Sequence, residues 1–310
     1  MMAAQTPHIA VLMGGWSAER EVSLASGEAC AAALERKGYR VTRIDVARDI
    51  VRVLEELKPD VAFNALHGKW GEDGCVQGIL ETLGIPYTHS GVCASAVAMH
   101  KDMSKSVFRA AGIPVADSVV VTVEEVAAGH PIAPPYVVKP VAEGSSVGVH
   151  IVHEGANRPM QELLAEAELF AGHVLVEKYV AGRELTCGVM GGEALDIIDI
   201  VPTTRFYDYE AKYAPGGSRH IVPAELPEDL YRRVQAHARD AYRVLGCRGV
   251  GRADFRYDDT PGGTGELVIL EVNTQPGMTD TSLVPEMALE RGIGFEDLVS
   301  WMVEDASCDR

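Results

Sequence analysis

Positive charge is scarce in this sequence. Twenty-eight Lys and Arg stand against 45 Asp and Glu, for a net charge of −17. Such an acidic surface disfavours nucleic acid and anionic membrane as partners and leaves room only for a local basic pocket. Long apolar runs are missing too. None approaches the roughly 18 residues needed to cross a bilayer, so no membrane span is expected. The opening MMAAQTPHIAVLMGG has no basic stretch and an apolar run only one strand long. A signal peptide is therefore not expected, and a cytoplasmic location is. The six cysteines are scattered, with no C-x-x-C pair. That argues against a disulfide frame or a cysteine zinc site, and predicts buried thiols in a reducing compartment. There is no internal repeat and no low-complexity tract.

What is present reads as an ordinary globular chain, 47% hydrophobic and 24% charged over 310 residues. That length has room for two or three domains. Residues 1–97 alternate strand and helix, from HIAVLMGG through AEREVSLASGEACAAALERKG, YRVTRIDV, IVRVLEELK and DVAFNALHG to GCVQGILETLG. This βαβ series predicts a parallel sheet covered by helices. Residues 98–182 read as α+β, with a helix KDMSKSVFRAAG, strands SVVVT, YVVKP, VGVHIV and HVLVEKYV, and a helix near MQELLAEAELF. Residues 183–310 hold several strands, a long helix PEDLYRRVQAHARDAYRVLG, a hairpin and a final helical segment. The fold class is thus multidomain, α/β followed by α+β.

The hairpin holds the first chemical signal. GRADFRY and ELVILEV flank the turn DDTPGGTG. If the hairpin is symmetric about Gly262–Gly263, Asp254 falls opposite Glu271 and Arg252 opposite Asn273, all on one face. A one-residue slip would destroy this arrangement. Two opposed acids repel and call for a cation between them. Asp, Glu and an Asn carbonyl are hard oxygen donors suited to magnesium. A solvated acidic patch on an edge strand is the bland alternative, and ELVIL looks too apolar for an edge. Arg252 beside these acids would balance charge or bind an anion. The second signal is YVVKPVAEGSSVGV, a lysine ending an apolar strand before a Gly/Ser turn. It is not a Walker A loop, and GGWSAERE is not a dinucleotide fingerprint. A hairpin with free N–H groups and hydroxyls can still fold over phosphates.

GGWSAEREVSLASG, HGKWGEDG, VVKPVAEGSSVGV, EKYVAGRELTCGV, FYDYEAKY, GRADFR and EVNTQPGMT, followed by TSLVP, occur in this order. Together they make the chain resemble a D-alanine–D-alanine ligase of the ATP-grasp superfamily over essentially its whole length. The resemblance implies an ATP-grasp fold after the N-terminal βαβ domain, divided as 1–97, 98–182 and 183–310. It implies ATP and two magnesium ions, with manganese as a substitute, and a cytoplasmic homodimer. The implied reaction activates one D-alanine carboxylate as an acyl phosphate, which the amine of a second D-alanine attacks. The product is a peptidoglycan precursor.

The same resemblance assigns residues. Asp254, Glu271 and Asn273 match metal ligands, in agreement with the hairpin argument. Arg252 matches a contact to the transferred phosphate and the oxyanion, and the Gly277 N–H matches a second oxyanion donor. Lys101 and Lys139 match phosphate lysines, with Ser145 and Ser146 in the loop above them. Glu177, Lys178, Tyr179 and Val180 match the segment that reads adenine, and Glu184 the ribose contact. Glu19 and His67 match contacts to the first D-alanine, and Ser282 a contact to the carboxylate of the second. Tyr207, Lys212 and Tyr213 match a lid, with Tyr213 reaching Ser145 and Glu19. Several of these have plainer readings from the residues alone. Lys101 reads as solvated, Glu177 and Glu184 as surface acids, Glu19 as a helix-dipole complement, His67 as a loop histidine and Ser282 as a helix cap. His100, Gln275 and Asp280 depart from the residues many members have. Joining D-alanine to a hydroxy acid, or binding nucleotide without catalysis, are the competing functions.

Overall fold

A computed structural model describes residues 6–144, 148–156, 161–202, 217–279 and 281–310. Ser145, Ser146, Tyr207, Lys212, Tyr213 and Asp280 lie outside the described residues. The first sheet is built from β1 (His8–Met13), β2 (Arg40–Asp45) and β3 (Val61–Asn64), all parallel, in the order β2-β1-β3. Its crossovers are α1 (Arg20–Arg36) and α2 (Ile50–Leu57), and α3 (Cys75–Leu83) follows the last strand. Ile9 through Leu12 are fully buried on both faces of β1, as a parallel central strand demands. One face packs Leu54, Leu80 and Tyr87. The other packs Leu34 of α1 together with Leu298 and Met302 from the far end of the chain.

The second sheet follows α4 (Val92–Met99) and α5 (Lys101–Ala110). It contains β4 (Ser118–Thr122), β5 (Tyr136–Pro140), β6 (His150–Val152) and β7 (His173–Lys178), antiparallel in the order β4-β7-β5-β6. The short helix α6 (Val123–Ala128) is closed by a Thr122–Glu125 capping box, and it packs on this sheet with the 3-10 helix Gln161–Glu166. The third sheet contains β8 (Arg183–Met190), β9 (Glu193–Pro202), β10 (Ser218–Ile221), β11 (Val250–Tyr257) and β12 (Leu267–Asn273), in the order β10-β9-β8-β11-β12. Its cover is α7 (Glu228–Val244), whose Leu230, Val234, Ala238 and Ala241 form a buried stripe against Leu185, Ile197 and Phe255. Finally α8 (Leu283–Glu290) and α9 (Phe295–Glu304) return to the first sheet, where Ser300 meets Tyr39 at 3.0 Å.

Several expectations are corrected. DVAFNALHG is strand only to Asn64, whose side chain then accepts the Leu66 N–H at 3.2 Å and ends the ladder. In the stretch near MQELLAEAELF, Gln161–Glu166 is a 3-10 helix and residues 167–170 are turn. The helix α4 was not foreseen, because VCASAVAM has almost no polar face to give it a period. Cys30, Cys187 and Cys247 are buried as expected, but Cys75 and Cys93 are exposed. The hairpin pairs Arg252 with Asn273 and Asp254 with Glu271 as predicted, then slips: Phe255 faces Ile269 and Tyr257 faces Leu267. Leu270 is the extra residue of this bulge. Moreover, β12 is an edge strand after all. Its apolar residues are covered by α4, α5 and α7, and the Ile269 N–H is taken by the Pro114 carbonyl at 2.9 Å. Among the described residues, no helix is long and apolar enough to cross a membrane.

Leu34 is fully buried where α1 meets α9. Leu34→Ala should cost about 2–5 kcal/mol, read as a lower urea midpoint with an unchanged slope.

Candidate active site

Two clefts meet between the three sheets. One is lined by Glu19, His67, Arg252, Asn273, Gly277 and Ser282, among others. Its neighbour is lined by Lys139, Glu177, Lys178, Tyr179, Val180 and Arg256, among others. Lys101, Glu143, Gly144, Glu184, Asp254 and Glu271 line both. Every described residue named from the sequence as a site candidate therefore lines one cleft or both.

The shared wall is the site end of the β11–β12 hairpin. Asp254 accepts a hydrogen bond from the Thr186 hydroxyl at 2.6 Å. Arg252 grips the same carboxylate with two bonds, Nε to Oδ1 at 2.9 Å and Nη2 to Oδ2 at 2.8 Å. Opposite it, Glu271 lies 3.2 Å from the Lys101 ammonium, which also donates to the Glu143 carbonyl at 2.5 Å. Lys101 is thus a buried charge at the start of α5 and not a solvated one. Asn273 accepts the Gln275 N–H at 2.8 Å through Oδ1, which leaves that oxygen a second lone pair. The bulge makes successive residues, Leu270 and Glu271, line the second cleft. Among the described residues no group of three or more His, Cys, Asp or Glu side chains could hold a metal. The trio Asp254, Glu271 and Asn273 fits a hard cation because its third donor is an amide oxygen, with phosphate or water oxygens completing the shell.

Glu177 is the centre of the second cleft. It read as a surface acid but is 2% exposed. Its carboxylate lies 3.1 Å from Lys139 and also bonds Lys105. Burial works against its charge, yet the ammonium groups of Lys139 and Lys105 outweigh that and hold its pKa below the ordinary value. The resulting stabilisation is complete above the ordinary glutamate pKa of 4.5 and is lost as pH falls through the depressed one. Lys105 is fully buried, and burial, which the attraction of Glu177 does not cancel, draws its pKa down. Sequence reasoning missed Lys105. Its signal was the four-residue spacing from Lys101, which puts both on one helix face. Arg256 was missed as well. It bonds the Val180 carbonyl at 3.1 Å and the Gly182 carbonyl at 2.8 Å, and lies 3.4 Å from Glu184. Lys178 turns outward to Glu266 at 2.8 Å.

At the first cleft, Glu19 occupies the N-cap position of α1 without a capping bond and is buried. Gly68 and Gly144 make room for it: a Cβ on either would sit 2.9 Å from Glu19 Oε1. His67 is buried, with Nε2 3.1 Å from the Ser26 hydroxyl and Nδ1 3.3 Å from Glu72. Ser282 stands at the N-cap of α8 but does not cap it. Its hydroxyl instead accepts the Thr279 N–H at 2.9 Å and meets the Thr279 hydroxyl at 2.8 Å. A Cβ on Gly277 would come within 2.8 Å of that hydroxyl, so glycine permits this approach.

Glu177 separates two lysines, and this sets an order of damage. Glu177→Gln leaves two buried ammonium groups unpaired and should cost about 3–5 kcal/mol. Lys105→Met leaves a balanced Lys139–Glu177 pair and should cost markedly less. Urea unfolding at pH 7 compares them, and equal losses would contradict the three-charge account.

Comparison with known proteins gives a consistent result. A family profile described as D-ala D-ala ligase C-terminus matches residues 107–304, and one described as D-ala D-ala ligase N-terminus matches residues 51–90. The chain is 62% identical over 307 residues to the D-alanine–D-alanine ligase of Parvibaculum lavamentivorans, covering 99% of this chain and 100% of that one. It is 63% identical over 303 residues to that of Afipia carboxidovorans, covering 98% of each. Among solved structures, the Bacillus anthracis D-alanine–D-alanine ligase superposes with a TM-score of 0.81 at 36% identity. The same enzyme complexed with ATP gives 0.79 at 33%; each comparison covers 97% of both chains. The fold is accordingly the expected ATP-grasp fold, and the chain belongs to the D-alanine–D-alanine ligase family.

Proposed function

We propose that the first cleft of this ligase takes the two D-alanine molecules, that the second takes ATP, and that phosphoryl transfer occurs at their shared wall. The observation behind this reading is the position of Asp254 and Glu271, which line both clefts. A γ-phosphate reaching from the second cleft would meet an amino-acid carboxylate at this pair. One carboxylate oxygen attacks the phosphorus, the bond to the bridging oxygen breaks, and ADP leaves. The amine of the second D-alanine then attacks the acyl carbon, phosphate leaves, and the amine gives up a proton. The product is D-alanyl-D-alanine, for peptidoglycan precursor synthesis.

Within this reading each residue has a physical task. Asp254, Glu271 and Asn273 would hold two magnesium ions, with manganese as a substitute; these supply charge neutralisation at the phosphates. Lys101 and Lys139 contribute further positive charge along the phosphate chain, with Ser145 and Ser146 above it. Glu177 and residues 178–180 read adenine. The N–H groups of Lys178 and Tyr179 are taken by the Asp117 and Pro135 carbonyls, so the backbone donor for adenine is that of Val180. Glu184 takes the ribose. Glu19 holds the ammonium of the first D-alanine, aided by His67. Arg252 and the Gly277 N–H stabilise the oxyanion, and Ser282 takes the carboxylate of the second substrate. Tyr207, Lys212 and Tyr213 belong to a covering segment that excludes water from the acyl phosphate. Domain divisions at 97 and 182, a homodimer and a cytoplasmic location complete the proposal.

Incubation with ATP, magnesium and D-alanine should release ADP, phosphate and D-alanyl-D-alanine, and D-lactate should not replace the second D-alanine at neutral pH. Depsipeptide as the main product, or nucleotide binding without turnover, would overturn this. Asp254→Asn should raise the magnesium concentration needed for half-maximal rate. An unchanged titration would refute the ligand assignment.

A further inference from the structure

Gln275 has no task in the chemistry above, yet it is one of the most enclosed polar side chains in the protein, 1% exposed. It lies between the metal-ligand candidate Asn273 and the oxyanion-donor candidate Gly277. Its side chain turns away from the cleft into the first sheet. There its Oε1 accepts from the amide of Asn64, the last residue of β3, and its Nε2 donates to the Leu66 carbonyl. Asn64 is fully buried, and its amide also donates to the Gly71 carbonyl at 3.0 Å. Its Oδ1 accepts the Leu66 N–H at 3.2 Å. Every end of both amides therefore meets a group of opposite hydrogen-bonding sense. Turning the Gln275 amide over would set NH2 against NH2 and oxygen against carbonyl, so the network admits one arrangement.

The two residues are 211 positions apart in the chain. Their bond joins the segment that leads into His67 and Gly68 to the turn that leads from Asn273 to Gly277. A second tie runs parallel to it: Ser26 of α1 accepts the Met278 N–H at 3.2 Å while touching His67. The two ties reach the turn at its middle and just past Gly277. The backbone N–H of Gln275 also fixes the Asn273 side chain. Displacement of Gln275 thus moves a metal donor and an oxyanion donor together, relative to Glu19 and His67.

We propose that Gln275 is a positioning residue: through Asn64 and Leu66 it sets the distance between the amine-binding and carbonyl-binding sides of the amino-acid cleft. This rests on the functional reading given above. Gln275→Met keeps the volume and removes both amide bonds. Gln275→Glu keeps the acceptor for Asn64 but sets a carboxylate oxygen against the Leu66 carbonyl. At a temperature well below melting, both should lower kcat at least tenfold and raise the magnesium requirement, with KM for ATP within twofold of the parent. Asn64→Ser removes the partner instead and should act the same way. Combined with Gln275→Met it should add little, and it serves as the test if a Gln275 variant does not melt cooperatively. A fall in melting temperature with kcat and magnesium requirement both within twofold would overturn the proposal. Asp254→Asn, measured alongside, separates the two ideas. If it changes neither kcat nor the magnesium requirement, the reading of the site fails. If it impairs them and the Gln275 and Asn64 variants do not, only the positioning role fails.

Discussion

Two carboxylates held face to face across an antiparallel ladder are the constraint around which the site is organised. Asp254 and Glu271 are direct partners in the register, at a separation where like charges repel. Neither the strands nor their cover can relieve that repulsion, so cations must. Arg252 comes from two residues back on the same strand, and Lys101 from the start of α5. Each acid thus has one cation within ion-pair distance, Arg252 at 2.8 Å from Asp254 and Lys101 at 3.2 Å from Glu271.

The constraint propagates outward. Because Lys101 must reach Glu271, α5 has to begin beside β12, and its N–H is anchored on the Val141 carbonyl at 2.9 Å. That places the segment after β5, including Glu143 and Gly144, between the clefts. Gly144 in turn lies against Glu19 from the first sheet. The edge position of β12 is part of the same logic. An edge strand can turn abruptly at its end without breaking a neighbour's ladder. Residues 274–278 are therefore free to leave the sheet and dock on β3 and α1.

Much of this was legible in the sequence, for reasons that can be named. The hairpin register followed from a turn signal, which centred the pairing on Gly262–Gly263, and from parity, because a one-residue slip would separate the four polar side chains onto two faces. The bulge was not legible: the pairs nearer the turn are centred on Gly262 and not on the Gly262–Gly263 bond, and the extra Leu270 restores the expected pairs at the site. The edge position of β12 was misread because apolarity reports burial, and helices covering a strand bury it as well as neighbouring strands do. Lys105 and Glu177 were invisible as a pair: each alone is a charged residue of the kind that normally sits in water, and 72 residues separate them. Gln275 stood out only as a departure from the family pattern, because an amide announces no task until its partners are in place.

The net charge of −17 looks at first like an obstacle to an anionic nucleotide. It is not one, because of distance. Exposed charges beyond about 8 Å are largely screened at physiological salt, whereas charges lining a buried cleft are not. In the second cleft Lys101 and Lys139 are buried, and Lys105 stands behind Glu177. Glu177 alone faces two of these lysines, so this cluster has one positive charge in excess. The surface can therefore be strongly acidic, which favours solubility, while Lys105 and Lys139 leave a local positive charge beside Glu177. Total charge disfavoured a nucleic-acid surface from the sequence alone, but the buried lysines set the local charge that the cleft offers a ligand.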